Sequence, residues 1–140
     1  MARSSEIGFY NRIKMKRLFS KHWKSSKQPR KQRKYRYNAP LHLKRRMISA
    51  LLSKELRKKL SKRNLILRKG DVVVVMRGKF KRKKGKVEKV NLRKLKVYVE
   101  GVNRVKIDGS KVYYPLDPSK LMITELNLDD KKRKAKLERK

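Results

Sequence analysis

The sequence predicts a mainly β protein: a small barrel or folded sheet, with a basic, partly helical N-terminal arm and a short charged C-terminal tail. Three observations lead there. From Leu65 onward, five short strand patterns follow one another over about sixty residues, with no helical pattern between them. Apolar residues make up 37% of the chain and charged residues 41%, too little apolar matter for one core to span all 140 residues. The charge is also laid out unevenly, with no acid between Glu6 and Glu55. The expected divisions are a basic arm over 1–38, short helices over 39–64, the barrel over 65–128 and the tail over 129–140.

In chain order, Ile7, Phe9, Tyr10, Ile13, Leu18 and Phe19 form a rough helical stripe, weakened by Gly8. Ser25 to Asn38 lacks apolar periodicity and is expected to be extended or disordered when free. Asn38 is the expected N-cap of a helix with Pro40 at an early position, and Leu41, Leu43, Met47, Ile48, Leu51 and Leu52 continue at helical spacing. Ser53 then caps a second helix, Lys54 to Leu60, with Glu55 favourable in its first turn.

At Leu65 the pattern changes. Leu65, Ile66 and Leu67 lead into a Lys69-Gly70-Asp71 turn and the β-branched run Val72 to Val75. Val87 and Val90 stand three apart, which breaks strict alternation and predicts a bulge or bend. Leu95, Val97 and Val99 alternate with Lys96, Tyr98 and Glu100. Val105 and Ile107 precede an Asp108-Gly109 hairpin turn into Lys111 to Tyr114. Asp117-Pro118-Ser119 turns the chain into a last apolar stretch, Leu121 to Leu126. In the tail, Asp129 and Asp130 come first and bases last, the order that suits a helix dipole. Such a helix has little apolar face and frays unless it docks.

Charge narrows the function. Forty-six Lys and Arg against eleven Asp and Glu leave a formal +35, which repels itself unless a polyanion neutralises it. Nucleic acid and membrane surface are the first candidates. The longest apolar run, Val72 to Met76, is far too short to span a bilayer, and only residues 7–19 hint at the apolar face an interfacial helix needs. No cysteine is present, and His22 and His42 are the only histidines, so disulfides and metal sites are not expected. The N-terminus lacks a secretory h-region, although its Arg- and Ser-containing, acid-poor composition also fits an organelle transit peptide. The chain reads as soluble and intracellular. No triad, phosphate-binding glycine loop or opposed carboxylate pair appears, so no catalysis, cofactor or small-molecule substrate is expected.

The most informative segment is RGKFKRKKGK, Arg77 to Lys86. Gly78 and Gly85 near its ends permit a sharp turn and a close backbone approach. Lys79, Lys81, Arg82, Lys83, Lys84 and Lys86 can follow phosphates while Phe80 stacks on an unpaired base. The plainer alternative is a solvated hairpin with Phe80 folded back on the barrel. In the arm, Arg30 and Lys31 lead into Arg33-Lys34-Tyr35-Arg36-Tyr37, where bases and rings interleave and allow neutralisation with stacking. Packing of Tyr35 and Tyr37 on protein is the alternative. His42, among bases, suits a hydrogen bond to RNA or solvent. Trp23 can stack on a base or pack locally.

This segment resembles a KOW motif, the glycine-containing hairpin unit of SH3-like barrels in ribosomal proteins and transcription elongation factors. With SSKQPRKQRKYRYNAPLHLKRRMISALLSKELRKKL before it, then LRKGD, VYVEGVN, DPSKLMITELNLDD and the basic tail, the chain from about Ser25 onward is similar to the large-subunit ribosomal protein 24 family (numbered 26 in eukaryotes), archaeal and eukaryotic branch. The resemblance implies an SH3-like barrel that binds the 5′ part of large-subunit rRNA, takes part in early subunit assembly and sits near the nascent-chain exit tunnel. It implies RNA contact by the Arg77–Lys86 hairpin, by the arm from Arg30 to Asn38, and by Lys44, Arg45 and Arg46. Lys69, Arg93 and Lys94 are expected to join them. Expected partners are rRNA and neighbouring ribosomal proteins, in the cytoplasm, with no self-association and no membrane insertion. A KOW-domain elongation factor or free RNA-binding module is the alternative, though the former needs an additional domain for which the chain has no room. Family members commonly carry glycine where this chain has Arg82, which puts the loop's shape in question. Residues 1–24 extend beyond the usual family start.

Overall fold

The computed structural model describes residues 19–20, 22 and 25–138. Of the N-terminal stripe only Phe19 falls among them, and Trp23 lies outside. The chain forms two compact units, residues 1–43 and 44–140.

In the first unit, α1 spans Pro29–Asn38. This corrects the extended arm expected from the lack of apolar periodicity. Pro29 opens the helix where its missing N–H costs nothing, and the Arg, Lys and Gln that follow are good helix formers with no glycine or β-branched residue among them. Periodicity reports burial, and α1 buries nothing. Asn38 closes this helix instead of capping the next one. The ring of Pro40 disfavours helical angles at Ala39, which is extended at φ −59°, ψ 135°. The second helix, α2 (Leu41–Met47), starts immediately after Pro40.

The helical spacing read through Leu52 is overturned as well. After Met47 the chain becomes β1 (Ser49–Leu52), in which Ala50 and Leu52 are buried and Ser49 and Leu51 half-buried. With buried Ile48 these residues satisfy a period of two as well as one of 3.6, and pairing with neighbouring strands decides the matter. Next comes α3 (Lys54–Leu60), capped as expected: the Ser53 hydroxyl accepts from the Leu56 N–H at 3.3 Å.

The remaining strands of the second unit are β2 (Asn64–Ile66), β3 (Val72–Val75), β4 (Lys84–Asn91), β5 (Lys96–Val99), the pair β6 (Asn103–Val105) and β7 (Lys111–Tyr113), and, after a 3-10 turn at Pro118–Lys120, β8 (Leu121–Glu125). The main sheet runs β2-β1-β8-β3-β4-β5, and β6-β7 form a separate hairpin. The sheet is mixed because β1 and β8 run parallel, Leu51 opposite Met122. The predicted bulge is present as a register shift between Val87 and Lys89. One apolar cluster joins Ala50, Leu52, Val73, Val75, Val87, Val97, Val99, Leu121 and Ile123, all on strands, with the half-buried Leu56 and Leu60 of α3 packed against it. The sheet therefore covers its own inner face, as a barrel does, without closing into a continuous hydrogen-bonded ring.

A C-terminal helix, α4 (Lys131–Glu138), docks on this unit through an ion pair that the sequence did not announce. Arg133 donates to both carboxylate oxygens of Asp71, at 2.6 and 2.9 Å, and both side chains are buried. Asp71 also accepts from the Arg68 and Asn127 N–H groups, and Arg133 donates to the Asn127 carbonyl.

Candidate nucleic-acid interface

The β3–β4 connection is shaped by two glycines. Gly78 turns at φ +93°, the left-handed region that side chains disfavour. Gly85 lies so near β5 that a Cβ would sit 2.5 Å from the Glu100 carbonyl oxygen. Between them Arg82 stands at φ +70°, so this arginine holds the left-handed geometry that a glycine adopts without cost. The loop is tied at its base, where the Arg82 N–H donates to the Val75 carbonyl and the Val75 N–H to that of Lys83.

Backbone ties of this kind leave the side chains outside. Arg77, Lys79, Lys81, Arg82 and Lys83 are exposed, and among the described residues none of them is paired with an acid. Lys84 is paired with Glu125 at 2.7 Å, and Lys86 is exposed. Phe80 is the exception to the outward pattern. Its ring packs against the core cluster and on Tyr114, with centroids 5.2 Å apart, and the Lys83 ammonium lies 5.3 Å from its centre. Phe80 therefore buttresses the loop instead of offering both faces to a base.

A second basic group lies at the other end of β4. Arg93 and Lys94 form the β4–β5 turn, and Lys44 reaches the Arg93 carbonyl at 3.3 Å. Arg45 and Lys69 line one groove with the Glu88–Leu92 end of the strand. At about 3.3 Å per residue, the eight residues of β4 put roughly 23 Å of strand between the loop and the Arg93–Lys94 turn, with Lys69 beside the middle, where the Gly70 N–H meets the Val87 carbonyl. Arg46 is exposed on α2.

In the first unit, α1 presents Arg30, Lys31, Arg33, Lys34 and Arg36 as exposed cations, with no acid in its sequence. Tyr37 is 82% exposed, Asn38 half-buried and His42 exposed, while Tyr35 tilts against Phe19 at 5.0 Å. Like charges three and four residues apart weaken this helix until an anion neutralises them.

Four acids are ion-paired among the described residues, and only the Asp71–Arg133 pair is buried. Asp71 holds Arg133, Asp130 holds Arg68, and Lys96 holds the Asp117 carboxyl below its usual value with help from Lys120. The Ser110 hydroxyl and N–H lower Asp108, and Tyr113 is raised chiefly by its hydrogen bond to Glu88. Among the described residues no group of three or more His, Cys, Asp or Glu is arranged to hold a metal, and no helix is long and apolar enough to cross a membrane.

Two features escape sequence reading. The Asp71–Arg133 pair links residues 62 apart, beyond the reach of local periodicity. The β6–β7 hairpin leaves Val105, Ile107, Val112 and Tyr113 exposed, although strand alternation promises one covered face.

The family model for the eukaryotic ribosomal proteins L26 and their archaeal counterparts matches residues 26–140. The chain belongs to that family. Members are structural ribosomal proteins of the large subunit, whose partners are rRNA and other ribosomal proteins. The match takes in α1, the mixed sheet with its basic β3–β4 loop, and the docked C-terminal helix, and it begins just past residues 1–24.

Proposed function

We propose that this ribosomal protein binds the 5′ part of large-subunit rRNA through two cationic groups held at fixed spacing by β4, and that α1 adds a third. In this reading it helps fold that RNA early in subunit assembly, near the nascent-chain exit tunnel, in the cytoplasm. The observation that carries the proposal is the β3–β4 loop: five exposed cations on a backbone pinned at its base, with no acid of the chain paired to them among the described residues. A rigid cationic loop loses little conformational entropy on meeting phosphate, and A-form RNA is recognised mainly by shape and backbone. The mechanism is mechanical: the sheet sets the distance between the groups, and RNA segments that bind both are held at that distance.

The test is binding of the full-length chain to a transcript of the 5′ part of large-subunit rRNA across a salt series. Replacing Arg77, Lys79, Lys81, Arg82 and Lys83 by Ala should make the slope of log K against log salt shallower by about 3.5, at roughly 0.7 per lost phosphate contact. An unchanged slope removes the loop from the interface.

A further inference from the structure

The groove beside β4 differs in kind from the loop. Its floor is apolar: Ile66, Leu67, Val90 and Leu92 line it over the fully buried Ile48. Its rim is cationic, with the exposed Arg45, Lys69 and Lys89. The volume is about 730 Å³, within the roughly 300–1,000 Å³ of small-ligand sites. In the sheet order β1, β8 and β3 stand between β2 and β4, yet residues of both strands line this one space, so it marks the seam where the sheet folds over without closing.

The walls are fixed by the fold. The Leu67 N–H donates to the Ile48 carbonyl at 3.0 Å, and the Gly70 N–H to that of Val87 at 2.8 Å, which pins the 67–70 turn to the floor and to β4. Arg68, also at the rim, is held by Asp130. Glu88 is the one acid in the lining and is hydrogen-bonded to the Tyr113 hydroxyl.

We infer that this groove receives a single unpaired nucleotide of RNA, its base in the aliphatic slot and its phosphate on the Arg45, Lys69 and Lys89 rim. The inference rests on the rRNA-binding reading and adds a mode of recognition to it, since the loop offers charge without a slot. The occupant follows from charge complementarity. Three cations around an apolar floor repel the basic segments of a neighbouring ribosomal protein, whereas a nucleotide brings one anion with each flat base. The Arg45 guanidinium is a planar cation that can also cover the base's outer face.

The experiment is ultraviolet cross-linking of the full-length chain to the 5′ transcript, with RNA-modified peptides mapped by mass spectrometry. Base adducts on the Ile66–Lys69 and Lys89–Leu92 stretches are expected. They should persist when the loop cations are replaced by Ala. Val90→Phe, which fills the slot and leaves the rim intact, should weaken binding about tenfold with the salt slope unchanged. Should that variant unfold, the wild-type adduct map decides alone. Saturable binding with adducts confined to the loop and α1 would overturn the inference while leaving the rRNA reading standing. Absence of saturable binding and of adducts anywhere would overturn both. In intact large subunits, cross-links from Lys69 and Lys89 to another protein chain with no RNA adduct would give the groove to a protein and reject the nucleotide.

Discussion

Arg82 occupies φ +70° in the loop that carries the densest charge, and left-handed geometry disfavours every residue with a Cβ. Arg82→Gly removes that strain but gives the unfolded chain more freedom. The two effects oppose each other at about 1 kcal/mol each, so a urea midpoint unchanged or slightly raised is expected. Gly85→Ala has no such compensation, because its Cβ meets the Glu100 carbonyl in a backbone that cannot swing aside. A loss of about 1–3 kcal/mol is expected, read from the same urea curves. Gly85 stands out in the sequence by residue type, a glycine near the loop's end for close approach, and Arg82 only through the family resemblance, which implies a glycine there. Asp117 is less visible there, since it sits in the turn before β8 while its partner Lys96 lies on β5. Its lowered pKa means that the pair contributes stability above the unfolded value of 3.8 and loses it as pH falls through the lower folded value. Lys96→Met should move the Asp117 titration, followed by carboxyl NMR, back up toward 3.8.

Among the elements, α4 depends most on contacts distant in the chain. A short helix of eight mostly charged residues is marginal by itself, and its buried Arg133 holds it to the turn before β3. Arg133→Met leaves Asp71 buried without its counter-charge and should cost about 3–5 kcal/mol in urea unfolding. Adding Asp71→Asn should restore part of that loss, because the orphaned charge is then gone. The cap of α3, the Asp108-Gly109 turn and the bulge in β4 are legible in the sequence, each being encoded within a few residues. Where β1 begins is not. Ile48 to Leu52 fits helix and strand spacing alike, and its parallel partner, β8, lies some seventy residues downstream. In α1, a lack of apolar period does not mean a lack of structure, because the helix presents charge on every side.

At the scale of the molecule, the sheet turns a +35 chain into a surface on which the loop cations face outward, while among the described residues four of the eleven acids hold ion pairs within the chain. The loop and the arm can be located from charge alone. The groove cannot, since it forms only when β2 and the end of β4 meet across three intervening strands. The central claim is that the β3–β4 loop anchors this chain in the large subunit. Sedimentation of tagged wild-type and loop-alanine chains through a high-salt sucrose gradient, with fractions quantified by mass spectrometry, tests it most directly. The wild type should travel with the large subunit at one copy each, while the variant shifts to the top of the gradient as salt rises. A wild type found at the top, or a variant retained as firmly as the wild type, would contradict the claim.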